Sequence, residues 1–316
     1  MKNNQTNWSF HSAAAAFLFL IVTGFSARAA TVEGKPGSWA GKTFTVGILT
    51  SRGDNQESQN REIILEALSV FGKREKLIFS PKLFYDKNEY IKTLRDGKLD
   101  MAFGPDYDSY IAAMKSGYKP FLSLSMFGRE EIRTCIYARN ESGFKDIGDL
   151  KGKSIMTYLE ATAYLYLKKR LGTPPEDYFS KVRTTPHGLS ALYALSMKDT
   201  DTVFVQDSNF YFMKLMNPGP VKDVKEIWCT DSIPLRPVLH NKDVPEKLAA
   251  ELVKFMNDIG RDEGFKKYWP LIKQFNVKIK TVKKQDYDPQ IKLFDEAEKK
   301  GWMKEYKAWA ENAKPE

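Results

Sequence analysis

A rhythm of short apolar strand, amphipathic helix and short apolar strand occurs twice along this chain, and it restricts the fold to α/β built from parallel βαβ units. Residues 44–49 (FTVGIL) are β-branched and apolar and stop at Thr50-Ser51-Arg52-Gly53, the pattern of a buried strand. Residues 61–71 (REIILEALSVF) have helical apolar spacing closed by Gly72, as a helix end requires. Residues 78–85 read as a second strand, 89–95 as a short helix ending at Gly97, and 99–103 (LDMAF) as a third strand broken by Gly104-Pro105. The second half repeats the order: strand 154–158 (SIMTY), helix 162–171 closed by Gly172, strand 181–184, helix 189–197, and strand 202–205 (TVFV) ending in Gln206-Asp207. In each half a Leu (Leu94, Leu195) precedes by six residues an Asp (Asp100, Asp201) that opens the third strand.

Two such units suit two α/β lobes, with one larger doubly wound domain as the alternative. Residues 132–139 (IRTCIYAR) and 233–240 (IPLRPVLH) look extended, and Pro234 and Pro237 exclude helix from the second. They are the candidates for two crossing strands between lobes. The expected division is 30–135 with 236–316 as lobe 1 and 136–235 as lobe 2. Helical stretches at 246–260, 265–275 and 290–300 are expected to return to lobe 1.

The first residues stand apart. A polar start with Lys2 and His11 leads into thirteen apolar residues, 13–25 (AAAAFLFLIVTGF), and then Ala27-Arg28-Ala29. That is the layout of a cleavable signal peptide over 1–29; a spanning helix would need about 20 apolar residues. No Cys lies near the cleavage site, so a lipid anchor is not expected, and the destination is a periplasm. Cleavage removes Lys2 and Arg28 and no acid, lowering the net charge of +9 by two. The remaining excess favours anionic ligands or surfaces, but its lysines are scattered, without the basic stripe and interleaved aromatics of a nucleic-acid binder. Cys135 and Cys229 are the two cysteines. Without a CxxC or a His cluster they do not suggest a metal. An oxidising compartment allows a disulfide between them, and they would be close if the crossing strands run side by side.

Several segments resemble the phosphonate-binding PhnD-like family. Asp100-Met-Ala-Phe-Gly-Pro105 with Tyr107 and Tyr110 is similar to its G-x-x-D-x-A-F-x-G-P…Y segment. Residues 147–153 (IGDLKGK) match its D-L-x-G-K turn, and His187 with Ala191-Leu192 and Asp201 matches its H-x-x-x-x-A-l…G-x-x-D segment. Trp228, Ile233-Pro234 and Asp286-Tyr287 fall on later landmarks, so the likeness spans about 42–295. The resemblance implies a type II periplasmic binding protein: two α/β lobes joined by two crossing strands, a small-molecule ligand between them, an ABC permease as partner, and no catalysis or cofactor. One departure concerns the ligand. The family's Ser-Thr-Ser-Gly turn, which cradles the phosphonate at a helix N-terminus, is here Tyr158-Leu-Glu-Ala-Thr-Ala-Tyr164. Thr162 keeps a hydroxyl, while Glu160 places a carboxylate where a dianion would be repelled.

In open α/β sheets ligands lie beyond the carboxyl ends of the strands. That rule selects Thr50, Ser51, Arg52, Tyr85 and Tyr107 in the first half, and Thr157, Tyr158, Glu160, Thr162, His187 and Asp207 in the second. Arg52 could offer its fork to an oxyanion, or be a plain loop arginine. Tyr85 and Tyr107 could wall the ligand or pack in the core. His187 is a ligand contact or a helix-entry residue, and Asp207 a ligand acceptor or a helix cap. Glu160 either serves the helix dipole or recognises a cationic or hydroxyl-bearing group; with Arg52 it would suit a zwitterion such as an aminophosphonate.

The leading function is therefore capture of a small polar solute by lobe closure for an ABC importer, as a monomer without nucleic-acid contacts. A ligand-sensing partner of a receptor or kinase is the alternative. A hydrolase is disfavoured because no G-x-S-x-G, H-E-x-x-H or P-loop occurs.

Overall fold

The computed structural model describes residues 38–50, 55–103, 107–125, 128–158, 160–185, 187–274 and 276–313. The signal-peptide assignment, 1–29, lies outside them, as do Ser51 and Arg52. In the first half β1 (Thr43–Leu49) lies between β2 (Ile78–Phe84) and β3 (Met101–Phe103), all parallel, with α1 (Asn55–Glu75) and α2 (Lys87–Arg95) as connections. Then come α3 (Tyr107–Lys115), β4 (Lys119–Ser125), the short β5 (Glu131–Ile132) and β6 (Thr134–Arg139). The second half places β7 (Ser154–Tyr158), α4 (Ala161–Leu171), the one-turn α5 (Pro175–Tyr178), β8 (Lys181–Thr185), α6 (Gly188–Ser196) and β9 (Thr202–Gln206). After α7 (Asp207–Met216), β10 (Val224–Cys229), β11 (Ile233–Pro234) and β12 (Pro237–His240) come α8 (Glu246–Asp258), α9 (Trp269–Gln274), β13 (Lys278–Thr281), α10 (Asp288–Lys299) and α11 (Trp302–Asn312).

The strands form two main sheets, in the orders β13-β4-β12-β3-β1-β2 and β10-β6-β9-β7-β8. The halves match: β1, β2 and β3 correspond to β7, β8 and β9, and each trio continues into an antiparallel neighbour, β12 beside β3 and β6 beside β9. That neighbour is in each case the stretch that has just crossed from the other half. The repeated Asp explains itself here. Asp100 accepts from the Thr45 N–H at 2.6 Å, and Asp201 accepts from the Ser154 N–H and hydroxyl, both at 2.8 Å. Each carboxylate satisfies a donor at the open start of the adjacent parallel strand, a group that is costly to leave unpaired. Burial pushes the Asp201 carboxyl up, but the two Ser154 bonds outweigh it and hold the group below the ordinary carboxylate range.

Each expected crossing strand is in fact two. β5 pairs antiparallel with β11, Ile132 opposite Ile233 and Glu131 opposite Pro234, while β6 and β12 belong to opposite main sheets. Between β5 and β6 the Arg133 N–H turns away from the ladder to Asp207 Oδ1 at 3.2 Å. Pro234 closes β11 and Pro237 opens β12, and neither supplies an N–H for pairing. Cys135 and Cys229 face one another across β6 and β10 and form a disulfide where both segments enter the second sheet. The expected helix over 265–275 begins as a 3-10 turn, Glu263–Tyr268, and becomes α-helical only at Trp269, because Pro270 is tolerated in a first turn and not in a helix interior.

Among the described residues, four apolar clusters cover the faces of the two sheets. Val46, Ile48, Leu68, Phe71, Leu248 and Leu252 pack β1 against α1 and α8. Tyr90, Leu94, Tyr110, Ile111 and Phe294 fill the opposite face with α2, α3 and α10. In the second half Leu192, Leu195, Val203 and Val205 pack α6 on β9, and Ile155, Leu167 and Phe204 pack α4 on the other side. Burying each such side chain contributes about 1.5–3 kcal/mol. The second cluster also takes in Ala161, Tyr164 and Leu165 of α4, so the lobes share apolar contact. α11 extends it: the Tyr164 ring centroid lies 5.2 Å from that of Trp309 and 5.7 Å from that of Tyr306. Lys168 of α4 bonds Glu305, and Lys169 meets Glu296 of α10 at 2.9 Å.

Candidate functional site

The carboxyl ends of β1–β3 and β7–β9 are where the strand-end rule places the site, and the side chains there sort into different roles. Thr50, after β1, is buried and its hydroxyl accepts from Arg61 Nη1 at 3.4 Å. Tyr85, after β2, is half-exposed. Thr157 is buried in β7, and its hydroxyl donates to the Phe204 carbonyl at 2.9 Å, inside the sheet. His187 is exposed at the N-cap position of α6, where its N–H donates to Thr185 Oγ1 at 3.3 Å. Asp207, after β9, is fully buried. It accepts from Arg129 Nη2 at 2.6 Å, the Arg133 N–H at 3.2 Å and Arg133 Nε at 3.4 Å. Arg133 continues to Glu226 at 3.0 Å, and the Arg129 guanidinium lies 4.1 Å from the Tyr211 ring centroid. The Asp207 acceptors thus serve a pin beside the crossing ribbon.

Tyr107, Tyr158 and Glu160 come together across the lobes. Tyr107 opens α3 and is buried, its ring 5.4 Å from that of Tyr110. The Arg236 guanidinium sits 5.5 Å from the Tyr107 ring centroid, a cation–π distance. Burial pushes both hydroxyls, Tyr107 and Tyr158, well above the usual tyrosine range. The Glu160 charge raises both further, and the Arg236 charge pulls both down. A cation and an anion therefore bear on the same two tyrosines, one from each lobe. The Tyr158 hydroxyl accepts from Asn209 Nδ2 at 2.6 Å. Gly188 is required beside it, since a Cβ there would lie 2.1 Å from Tyr158 Oη and 2.8 Å from Asn209 Cγ. Tyr166, one turn into α4, buries a hydroxyl without a hydrogen-bond partner among the described residues, and its charge also bears on Tyr107.

Thr162 has a different partner. Its N–H and hydroxyl donate to Asp108 Oδ1 at 3.2 and 3.1 Å, and the Ala161 N–H donates to Asp108 Oδ2 at 3.1 Å. Asp108 belongs to α3 in the other lobe and also pairs with Lys87 at 2.8 Å. Arg236, Asp108, Asn209 and Tyr166 were not singled out from sequence. Arg236 carried the one available signal, a lone charge between two prolines in a crossing segment; the other three acquire meaning only through partners far along the chain.

Residues 54–287 match the family described as ABC transporter, phosphonate, periplasmic substrate-binding protein. The chain belongs to this family. The binding protein thus has the family's role, the solute-binding component of an ABC importer, with a small-molecule ligand and a membrane permease as partners. Solved structures share its two-lobed fold. A binding protein component of an ABC phosphonate transporter from Pseudomonas aeruginosa has 18% identity and a TM-score of 0.55, over 80% of this chain and 85% of that one. PhnD1 from Prochlorococcus marinus, solved in complex with methylphosphonate, has 11% identity and a TM-score of 0.58, over 81% and 98%. XAC2383 from Xanthomonas citri, bound to ATP, has 12% identity and a TM-score of 0.59, over 79% and 95%. No curated protein matches the sequence. Among the described residues no helix is long and apolar enough to cross a membrane.

Proposed function

We propose that this binding protein captures a small solute bearing both an oxyanion and a group that meets a carboxylate, an amine or a hydroxyl, as in an aminophosphonate. The observation that carries the reading is the placing of Arg236, 5.5 Å from the ring centroid of the buried Tyr107, and of Glu160 at the start of α4, with opposed effects on Tyr107 and the half-buried Tyr158. Arg236 presents a planar fork suited to an oxyanion. Glu160 stands at the N-cap position of α4, and its side chain makes no capping hydrogen bond to that helix. The two tyrosines supply apolar walls with hydroxyls at the rim. Binding methylphosphonate is a property of the PhnD1 relative; the exchange of the family's hydroxyl-rich turn for Tyr158-Leu-Glu-Ala-Thr supports a solute with a second, non-anionic handle here.

The remaining features follow from that reading. Cleavage after Ala29 releases an unlipidated monomer into the periplasm. Lobe 1 comprises 30–135 and 236–316, and lobe 2 comprises 136–235. Solute closes the lobes and the permease reads the closed surface, without chemical turnover. Isothermal titration with phosphate, methylphosphonate and 2-aminoethylphosphonate tests the solute class. The expectation is tightest binding for the aminophosphonate, weakened about tenfold or more in Glu160→Ala, the worth of one charge-assisted hydrogen bond. Equal affinity of Glu160→Ala and wild type for the amine-bearing ligand removes the proposal.

A further inference from the structure

Resting on the proposed solute-binding role, the geometry assigns Asp108 a part in it: we propose that Asp108 is a built-in anion that fills the donor set at the α4 N-terminus, draws the lobes together without solute and sets the protein against simple oxyanions. The carboxylate belongs to α3 of one lobe and its acceptors are satisfied by α4 of the other. Both oxygens are used, one by the Ala161 N–H and one by the N–H and hydroxyl of Thr162. Two main-chain N–H groups and a hydroxyl at the positive end of an eleven-residue helix are the donors a tetrahedral oxyanion seeks. Here they are taken by the protein. Lys87, from the same lobe as Asp108, holds the carboxylate in place at 2.8 Å. Asp108 is mostly shielded, its side chain 12% exposed, which strengthens these charge-assisted bonds relative to bonds in open water.

Two consequences follow. The contact is made only when α3 and α4 meet, so it favours the closed arrangement by itself, and an equilibrium that starts nearer closure needs less from the solute. An oxyanion that enters the cleft must either displace a carboxylate already carrying four hydrogen bonds, three of them from α4, or remain beside it at a like-charge distance, with Glu160 as a second carboxylate nearby. A solute held through Arg236 and Glu160 would place its oxyanion on Arg236 rather than on the α4 N-terminus, and its second group on a carboxylate. Asp108 is thus a specificity-determining residue acting by competition, and it is separable from the groups proposed to touch the solute.

The test compares wild type, Asp108→Ala and the near-isosteric Asp108→Asn, each first checked for cooperative thermal unfolding. Solution scattering of the solute-free proteins reads the latch: the radius of gyration is expected to rise in Asp108→Ala, and superimposable curves for wild type and both variants overturn the proposal. Titration with methylphosphonate reads the competition: the variants are expected to bind it about ten- to a hundredfold tighter, the worth of a lost charge-assisted competitor. Unchanged or weaker affinity overturns that part. If Asp108→Ala fails to fold, Asp108→Asn decides by the same two readouts. Scattering needs no solute, so failure of the latch is distinguishable from failure of the binding role, in which none of these proteins would give heat with methylphosphonate or 2-aminoethylphosphonate.

Discussion

Removing the Asp207 carboxylate is the sharpest probe of how the crossing ribbon is held. Asp207 is fully buried and takes three hydrogen bonds, one from Arg129 and two from Arg133. Asp207→Ala leaves the Arg133 N–H without its acceptor and two guanidinium groups without their buried counter-charge. Breaking one partner of a buried ion pair costs about 3–5 kcal/mol. Arg129 and Arg133 retain 29% and 32% side-chain exposure, and Arg133 keeps Glu226, so water recovers part of that. The expected loss is therefore about 2–3 kcal/mol, or about 5–10 °C in melting temperature for a chain of this size. Equilibrium urea unfolding of wild type, Asp207→Ala, Arg129→Met and the double variant measures it, with a coupling between Asp207 and Arg129 of about 1 kcal/mol or more. A destabilisation under about 0.5 kcal/mol, the range of an ordinary surface change, would refute the reasoning. So would unchanged stability with a selective loss of solute affinity, which would return Asp207 to the ligand.

Two further expectations concern the same scaffold. The Cys135–Cys229 disulfide closes a span of 94 residues, for which loop-closure entropy sets an upper value of about 4.7 kcal/mol; Cys135→Ser/Cys229→Ser should lose about 2–4 kcal/mol in urea unfolding, and an unchanged midpoint contradicts it. The Asp201 carboxyl is held low in the folded protein, so its contribution is present above the unfolded value and is lost as pH falls through the folded one, below about pH 4. Wild-type stability should consequently drop more steeply than that of Asp201→Asn between about pH 4 and pH 2, with parallel profiles counting against the assignment.

The two βαβ trios were legible because they depend on local pattern. Buried parallel strands need short apolar runs, and residues 44–49, 154–158 and 202–205 supply them beside turn residues. The crossing segments were legible as extended but not as four pieces, since the breaks depend on an Arg133 N–H that finds Asp207 from 74 residues away and on prolines whose effect is set by which sheet they enter. α3, β4, β10, β13 and α11 went unread, and α7 was reached only as the helix that Asp207 would cap, without bounds; Asp207 is in fact its first residue. The exposed face of α7 carries Tyr211, Leu215 and Met216, which blurs a helical stripe, and α11 acquires its role only by meeting Tyr164 of α4. The strand-end rule reached Tyr107, Tyr158, Glu160 and Thr162 because it depends on topology alone. It could not reach Arg236 or Asp108, whose significance lies in contacts between parts of the chain that pattern does not relate. The same limit hid the partner of Thr162.

The exchange of fourth strands between the halves dictates an order of assembly. The second sheet, from β6 to β10, is drawn wholly from one contiguous stretch, Thr134–Cys229. The first is not: until β12 arrives, β3 presents an unpaired edge, and β4 and β13 have no place in the sheet without it. A chain emerging N-terminus first can therefore complete its later half before its earlier one. Its beginning stays open-edged, and slow to settle because its pairings are distant in sequence, until the C-terminal third is delivered.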